Sequence, residues 1–194
     1  MTHPFRRKNL APRLLPCYLL ALVAFAFADP SPLGCAVGGI LVGVGAALRC
    51  WGAGHLVKTE RLIVSGPYAH QRHPLYAGTL LLGVGFAALA GGWGGAVAAA
   101  CFVPFFFLYY LPYKERIEGA RLERRYGGAY TAYRAAVPAL IPSPVRWASP
   151  AGSLQGAGAG RWSRVRFREN GELGTLIGVG VATALLAFRP LLAP

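Results

Sequence analysis

Charge is scarce in this chain, and acid is scarcer still. Only 14% of the residues are Asp, Glu, Lys or Arg, and 7 acids stand against 20 bases, where soluble globular domains carry roughly 25% charged residues. So small a supply cannot cover a water-exposed surface, which excludes an ordinary soluble domain. Cysteine offers no metal cage either. Cys17, Cys35, Cys50 and Cys101 stand singly in or beside apolar segments, without paired ligand spacing, and read as small packing residues. No internal repeat is present, and residues 29–33 and 91–95 contain no Lys or Arg at all.

What is present is apolar. Hydrophobic residues make up 55% of the 194, with a mean hydropathy of +0.43, and a bilayer core takes about 20 apolar residues per helix. The composition therefore predicts an integral membrane protein of several spans and modest loops. The net charge of +13 does not point to nucleic acid. Lys and Arg cluster in residues 2–13, 49–72 and 114–168 and alternate with the base-free turns. That is the positive-inside pattern, which places the basic loops on the cytoplasmic side against anionic headgroups.

Five apolar runs read as spans, at 14–28, 33–51, 75–89, 96–111 and 173–188. The expected fold is thus all-α, a polytopic transmembrane helical bundle of about five spans with a cytoplasmic pocket, in an inner or plasma membrane. Ala26-Phe27-Ala28 before Asp29 also resembles a cleavage site; a retained helix is favoured, because Tyr18, Phe25 and Phe27 suit a span. Gly34, Gly38, Gly39, Gly43 and Gly45 give the second run small-residue spacings for close helix approach. The run Gly91 to Gly95, with Trp93, turns the third span into the fourth. Pro104 is expected to bend that fourth helix, and Phe105, Phe106, Phe107, Tyr109 and Tyr110 crowd its end as an aromatic belt or a surface for an apolar or cationic ligand. Four regions follow: a basic head and first span (1–32), a membrane core (33–147), a flexible linker with a basic interfacial stretch rich in Arg and aromatics (148–172), and a final span (173–194).

Chemistry concentrates at Arg72-His73-Pro74-Leu75-Tyr76-Ala77-Gly78, where a basic loop enters an apolar run. Forty residues on, Glu118 leads into Tyr126-Gly127-Gly128-Ala129-Tyr130 and Pro138-Ala139-Leu140-Ile141-Pro142. Pro74 suits a first helical turn, whose free N–H groups attract anions, and a carboxylate at a membrane interface needs water or a partner. The helix start could hold the carboxylate of an amino-acid-like cofactor and Glu118 its ammonium. His70 and His73, lacking a nearby carboxylate, do not make a metal site.

The stretch SGPYAHQRHPLYAG, residues 65–78, followed by ERIEGARLERRYGGAYTAYRAAVPALIP, residues 115–142, resembles the isoprenylcysteine carboxyl methyltransferase and phospholipid methyltransferase superfamily. The resemblance covers residues 61–142 well, 33–60 loosely, and the linker and last span hardly at all. It implies a membrane enzyme that binds S-adenosylmethionine on the cytoplasmic side and methylates a lipophilic or small acceptor, a carboxylate, thiol or lipid amine, drawn from the membrane lipids or the cytoplasm. By position it implies Tyr68, His73, Pro74, Leu75, Tyr76, Gly78 and Glu118 at the cofactor, Arg72 and Glu118 at the chemistry, and Tyr126, Gly127, Tyr130 and Tyr133 organising a lid. One position departs: the second Glu common after Glu118 is Gly119 here, and Glu115 or Glu123 could compensate across a turn, although neither aligns with the motif. Sterol reductases, which bind a reduced nicotinamide, share the carboxy-terminal pattern but fit RHPLYAG less well. A noncatalytic packing protein that keeps the fold is the reading from another class.

Overall fold

A computed structural model describes residues 15–57, 62–148 and 160–189, with side chains from residue 18 onward. The basic head at 2–13 and most of the expected linker lie outside the described residues. Among those described, the chain is helical throughout, and its sole extended pairing is an isolated bridge between Asp29 and Gly91. The elements are α1 (Leu15–Ala26), α2 (Pro32–His55), a short 3-10 turn (Gly66–Ala69), α3 (Pro74–Ala90), α4 (Gly92–Pro104), a π-helical turn (Phe105–Tyr110), α5 (Leu111–Tyr126), α6 (Gly128–Ala136), α7 (Arg164–Glu169) and α8 (Glu172–Ala187).

Two helices are long and apolar enough to cross a membrane: α2, with 24 residues, and the uninterrupted 35-residue helix that runs from Gly92 to Tyr126. The other expected spans are present as shorter helices, with 17 residues in α3, 16 in α8 and 12 described in α1. At 1.5 Å per residue, 17 residues rise about 26 Å, short of a core of about 30 Å. The fourth expected span does not stop at 111 but continues into the charged α5. Pro104 and Pro112 each remove a donor from the helical ladder, and between them the backbone widens into the π turn rather than breaking.

The chain folds into two compact units, neither of them a single stretch of sequence. One comprises residues 1–44, 81–104 and 173–194; the other, residues 45–80 and 105–172. In the first, α1 packs on α4, Asp29 N–H donates to Ala90 O at 2.8 Å, and Gly94 N–H donates to Phe27 O at 3.0 Å. Gly91 and Gly92 make that corner with φ of 59° and 50°, a conformation that side chains resist. Arg189 caps the exposed carbonyls of α1, donating to Phe25 O and Ala26 O at 2.9 and 2.6 Å.

The glycine face of α2 divides. A Cβ at Gly38 would fall 2.7 Å from Gly85 O and from Leu89 N, and one at Gly34 2.7 Å from Ala88 O, so these positions set the approach of α2 to α3. Gly39 and Gly43 meet nothing within 4 Å. The small-residue spacing foresaw close packing, and Gly34 and Gly38 are where it occurs.

Candidate functional site

The second unit holds a cavity of about 480 Å³, within the range of small-molecule sites. Its floor begins at the 3-10 turn, where Tyr68 is buried and Tyr133 from α6 donates its hydroxyl to Tyr68 O at 2.7 Å. Around this bond Leu62, Tyr130, Tyr133 and Val137 form a small core that also holds Leu122, Tyr126 and Trp147. The Arg72–His73 loop is then fixed through its backbone. Arg72 N–H donates to Pro138 O at 2.8 Å, His73 N–H to Ala139 O at 3.0 Å, and Ser143 N–H to His70 O at 2.8 Å. The two halves of the motif thus meet main chain to main chain.

From this loop α3 departs. Pro74 is buried at its first position, and the N–H groups of Tyr76 and Ala77 both turn back to His73 O at 3.0 Å. The helix start therefore presents fewer free donors than Pro74 alone suggests. Tyr76 reaches across to α5 and donates its hydroxyl to Glu118 Oε1. Its ring stacks on His73, centroids 5.2 Å apart, and meets Tyr110 of the π turn edge-on at 5.5 Å. Within the aromatic run, Phe106 and Tyr110 pack inward, while Leu108 and Tyr109 are exposed.

One face of α5 completes the wall. Glu118, Arg121, Leu122 and Arg125 all line the cavity, at the i, i+3, i+4 and i+7 spacing that shares a helical face. The opposite wall is apolar, made by Leu56, Val57, Leu62, Ile63 and Leu75. The cavity therefore has a carboxylate and a phenol on one side, guanidinium groups along α5, and aromatic or aliphatic surface elsewhere. Two buried polar atoms of lining residues have no hydrogen-bond partner, Tyr126 OH and Arg72 Nε, and a buried polar group without a partner is costly.

Tyr68, Arg72, His73, Pro74, Leu75, Tyr76 and Glu118 all line this cavity. Gly78, expected at the cofactor, does not; a Cβ there would lie 2.5 Å from Arg49 Cγ and 2.8 Å from Gly45 O, so its work is to admit α2. Glu115, considered in the sequence only as a stand-in for the missing second Glu, instead holds Arg72 Nη2 at 2.9 Å and lies 3.3 Å from His73 Nε2. Arg72 is thus tied into the wall through Glu115. Gly119 is buried, and a Cβ there would face the Tyr130 hydroxyl at 3.3 Å. A longer acid at this position would meet that aromatic rather than join Glu118.

Burial lowers the His73 pKa from its ordinary 6.5; the Glu115 carboxylate opposes the shift and Arg72 adds to it, and burial wins. The ring is therefore neutral near pH 7, with Nε2–H donating to Glu115 and the lone pair on Nδ1. Burial likewise pushes the phenols of Tyr68, Tyr130 and Tyr133 up, so all stay protonated. A depressed histidine gives stability that is present above 6.5 and is lost as the pH falls, because the unfolded chain then binds the extra proton. The unfolding midpoint of the wild type is expected to drop between about pH 7.5 and pH 5, and to drop less in His73→Gln. Identical pH profiles for the two proteins would contradict a buried neutral His73.

Compared with known proteins, the chain matches no family model, no curated protein and no solved structure.

Proposed function

We propose that this chain is an integral membrane methyltransferase that takes S-adenosylmethionine as methyl donor and acts on a lipophilic or small acceptor at the cytoplasmic face. The observation that supports it is a single cavity lined together by Arg72 to Tyr76 and by Glu118 to Tyr126, the two halves of the motif that resembles the membrane methyltransferases. In this reading α1, α3 and α8 are further spans of a bundle of about five, their short lengths met by local thinning of the bilayer.

The donor set fits the cofactor's functional groups. Glu118 is the carboxylate for an ammonium, Arg121 and Arg125 are guanidiniums for a carboxylate, and the tyrosine-rich walls suit a sulfonium. The unpartnered Tyr126 hydroxyl is a further donor or acceptor ready for a ligand. Bound there, the cofactor would supply an electrophilic methyl group on sulfur. The chain's own part is positioning. Tyr76 fixes the Glu118 carboxylate, Glu115 fixes Arg72, and Leu56, Val57 and Leu75 offer apolar surface to a lipophilic acceptor. For a thiol or amine acceptor a base must take the proton, and neutral His73, with its lone pair on Nδ1, is the first candidate, with Glu118 the second.

The test is calorimetric titration of detergent-purified protein with S-adenosylmethionine, using reduced nicotinamide dinucleotide phosphate as comparator. Saturable binding of the methyl donor alone is expected. Binding of the nicotinamide alone would move the reading to a reductase, and binding of neither by folded protein would overturn an enzymatic role.

A further inference from the structure

The carbonyls that end α2 are met by residues more than a hundred positions away. Trp162 Nε1 donates to Cys50 O at 3.1 Å, Ser163 N–H to Gly54 O at 2.9 Å, and Asn170 Nδ2 to both Ala53 O and Leu56 O, at 2.8 and 2.9 Å. A helix end leaves carbonyls such as Ala53 O and Gly54 O without an intrahelical partner, and here a distal segment supplies the donors. Two residues later, Glu172 is 5% exposed and grips Arg49 of α2 with both oxygens, Nη2 to Oε1 at 2.6 Å and Nε to Oε2 at 3.0 Å. Held in that fork, Arg49 turns its remaining nitrogen to Leu75 O at 3.2 Å and Thr79 Oγ1 at 2.6 Å.

Both ends of this network finish in the cavity wall. Leu56, whose carbonyl Asn170 holds, lines the cavity with Val57, and so does Leu75, whose carbonyl Arg49 holds. We infer that residues 160–172 form a clamp, in which Asn170 and Glu172 are positioning residues that set the apolar wall of the cavity through the end of α2 and the first turn of α3. Neither residue lines the cavity; they act through Leu56 and Leu75. The segment lies outside the part of the chain that resembles the methyltransferases, so nothing in that resemblance assigns it a role. The consequence for ligand binding rests on the proposed cofactor, whereas the clamp itself does not.

The experiment uses the full chain in detergent and reads two quantities. Hydrogen exchange, without ligand, follows the amides of residues 52–57 and 75–79; calorimetry follows S-adenosylmethionine affinity. Asn170→Asp removes the donors at constant shape, and Glu172→Ala releases Arg49. Asn170→Asp is expected to speed exchange about tenfold at 52–57, and Glu172→Ala at 75–79, with residues 92–104 unchanged and affinity down about tenfold in each. Glu172→Gln, which keeps an acceptor for Arg49, restores most of both. If Asn170→Asp does not fold, Asn170→Ser carries the same test. Unchanged exchange at these two stretches overturns the clamp, and raised exchange with wild-type affinity overturns its positioning role. Raised exchange in a protein whose wild type binds no S-adenosylmethionine supports the clamp and removes the cofactor reading instead.

Discussion

Glu118→Gln is expected to weaken S-adenosylmethionine binding by about 10- to 100-fold while leaving the unfolding midpoint where it is. The substitution is nearly isosteric, and its amide oxygen can still accept from the Tyr76 hydroxyl, so the contact between α3 and α5 survives. What disappears is the negative charge. A hydrogen bond to a charged group contributes about 1.5–3 kcal/mol, and each 1.4 kcal/mol is about a factor of ten in affinity. Tyr76→Phe separates the two roles from the other side, since it keeps the carboxylate and removes the donor that orients it. Its loss should be the smaller of the two. Calorimetry on both variants checks the order, and equal affinity of Glu118→Gln and wild type would take Glu118 out of the site.

The second large effect falls on stability. Glu115→Ala should destabilise the protein by about 2–3 kcal/mol, below the roughly 3–5 kcal/mol for breaking a fully buried pair, because the Glu115 side chain keeps 29% of its surface in solvent. The cost comes from Arg72, whose side chain is only 12% exposed and already carries an unpartnered Nε. Removing Glu115 strands that charge. Replacing both together, Arg72→Met with Glu115→Leu, should recover much of the loss, because no charge is left stranded. Reversible unfolding in mixed detergent measures both. A double variant no more stable than Glu115→Ala would show that Arg72 matters through its packing rather than through its charge.

The meeting of the two motif halves was legible in the sequence, because Arg72 to Tyr76 and Glu118 to Tyr126 are polar groups set at the ends of apolar runs, where polarity needs a reason. How they meet was not. Main-chain bonds such as Arg72 to Pro138 leave no mark in residue type. The spacing of Glu115, one turn before Glu118, marked it as a possible substitute acid, but its pairing with Arg72 was not legible. Arg49 carried the plainest missed signal, a guanidinium inside a predicted span, which requires a counter-charge. Glu172 at the head of the final apolar run was its natural complement. Helix lengths failed for a different reason. Hydropathy marks where a helix is apolar and says nothing of where it ends, so the continuation from the π turn at Phe105–Tyr110 past Leu111 into α5 stayed hidden behind Pro112.

The capping of α2 from residues 162, 163 and 170 also fixes an order of events during synthesis. A chain emerges from its amino end, at about 5–20 residues per second, so α2, the His73 loop and α5 are all made before Asn170 and Glu172 exist. Until then the last carbonyls of α2 and the Arg49 guanidinium must find other partners. The cavity wall is consequently among the last features to be completed. A ribosome that stalls before Asn170 leaves a chain with both motif halves made and the end of α2 uncapped.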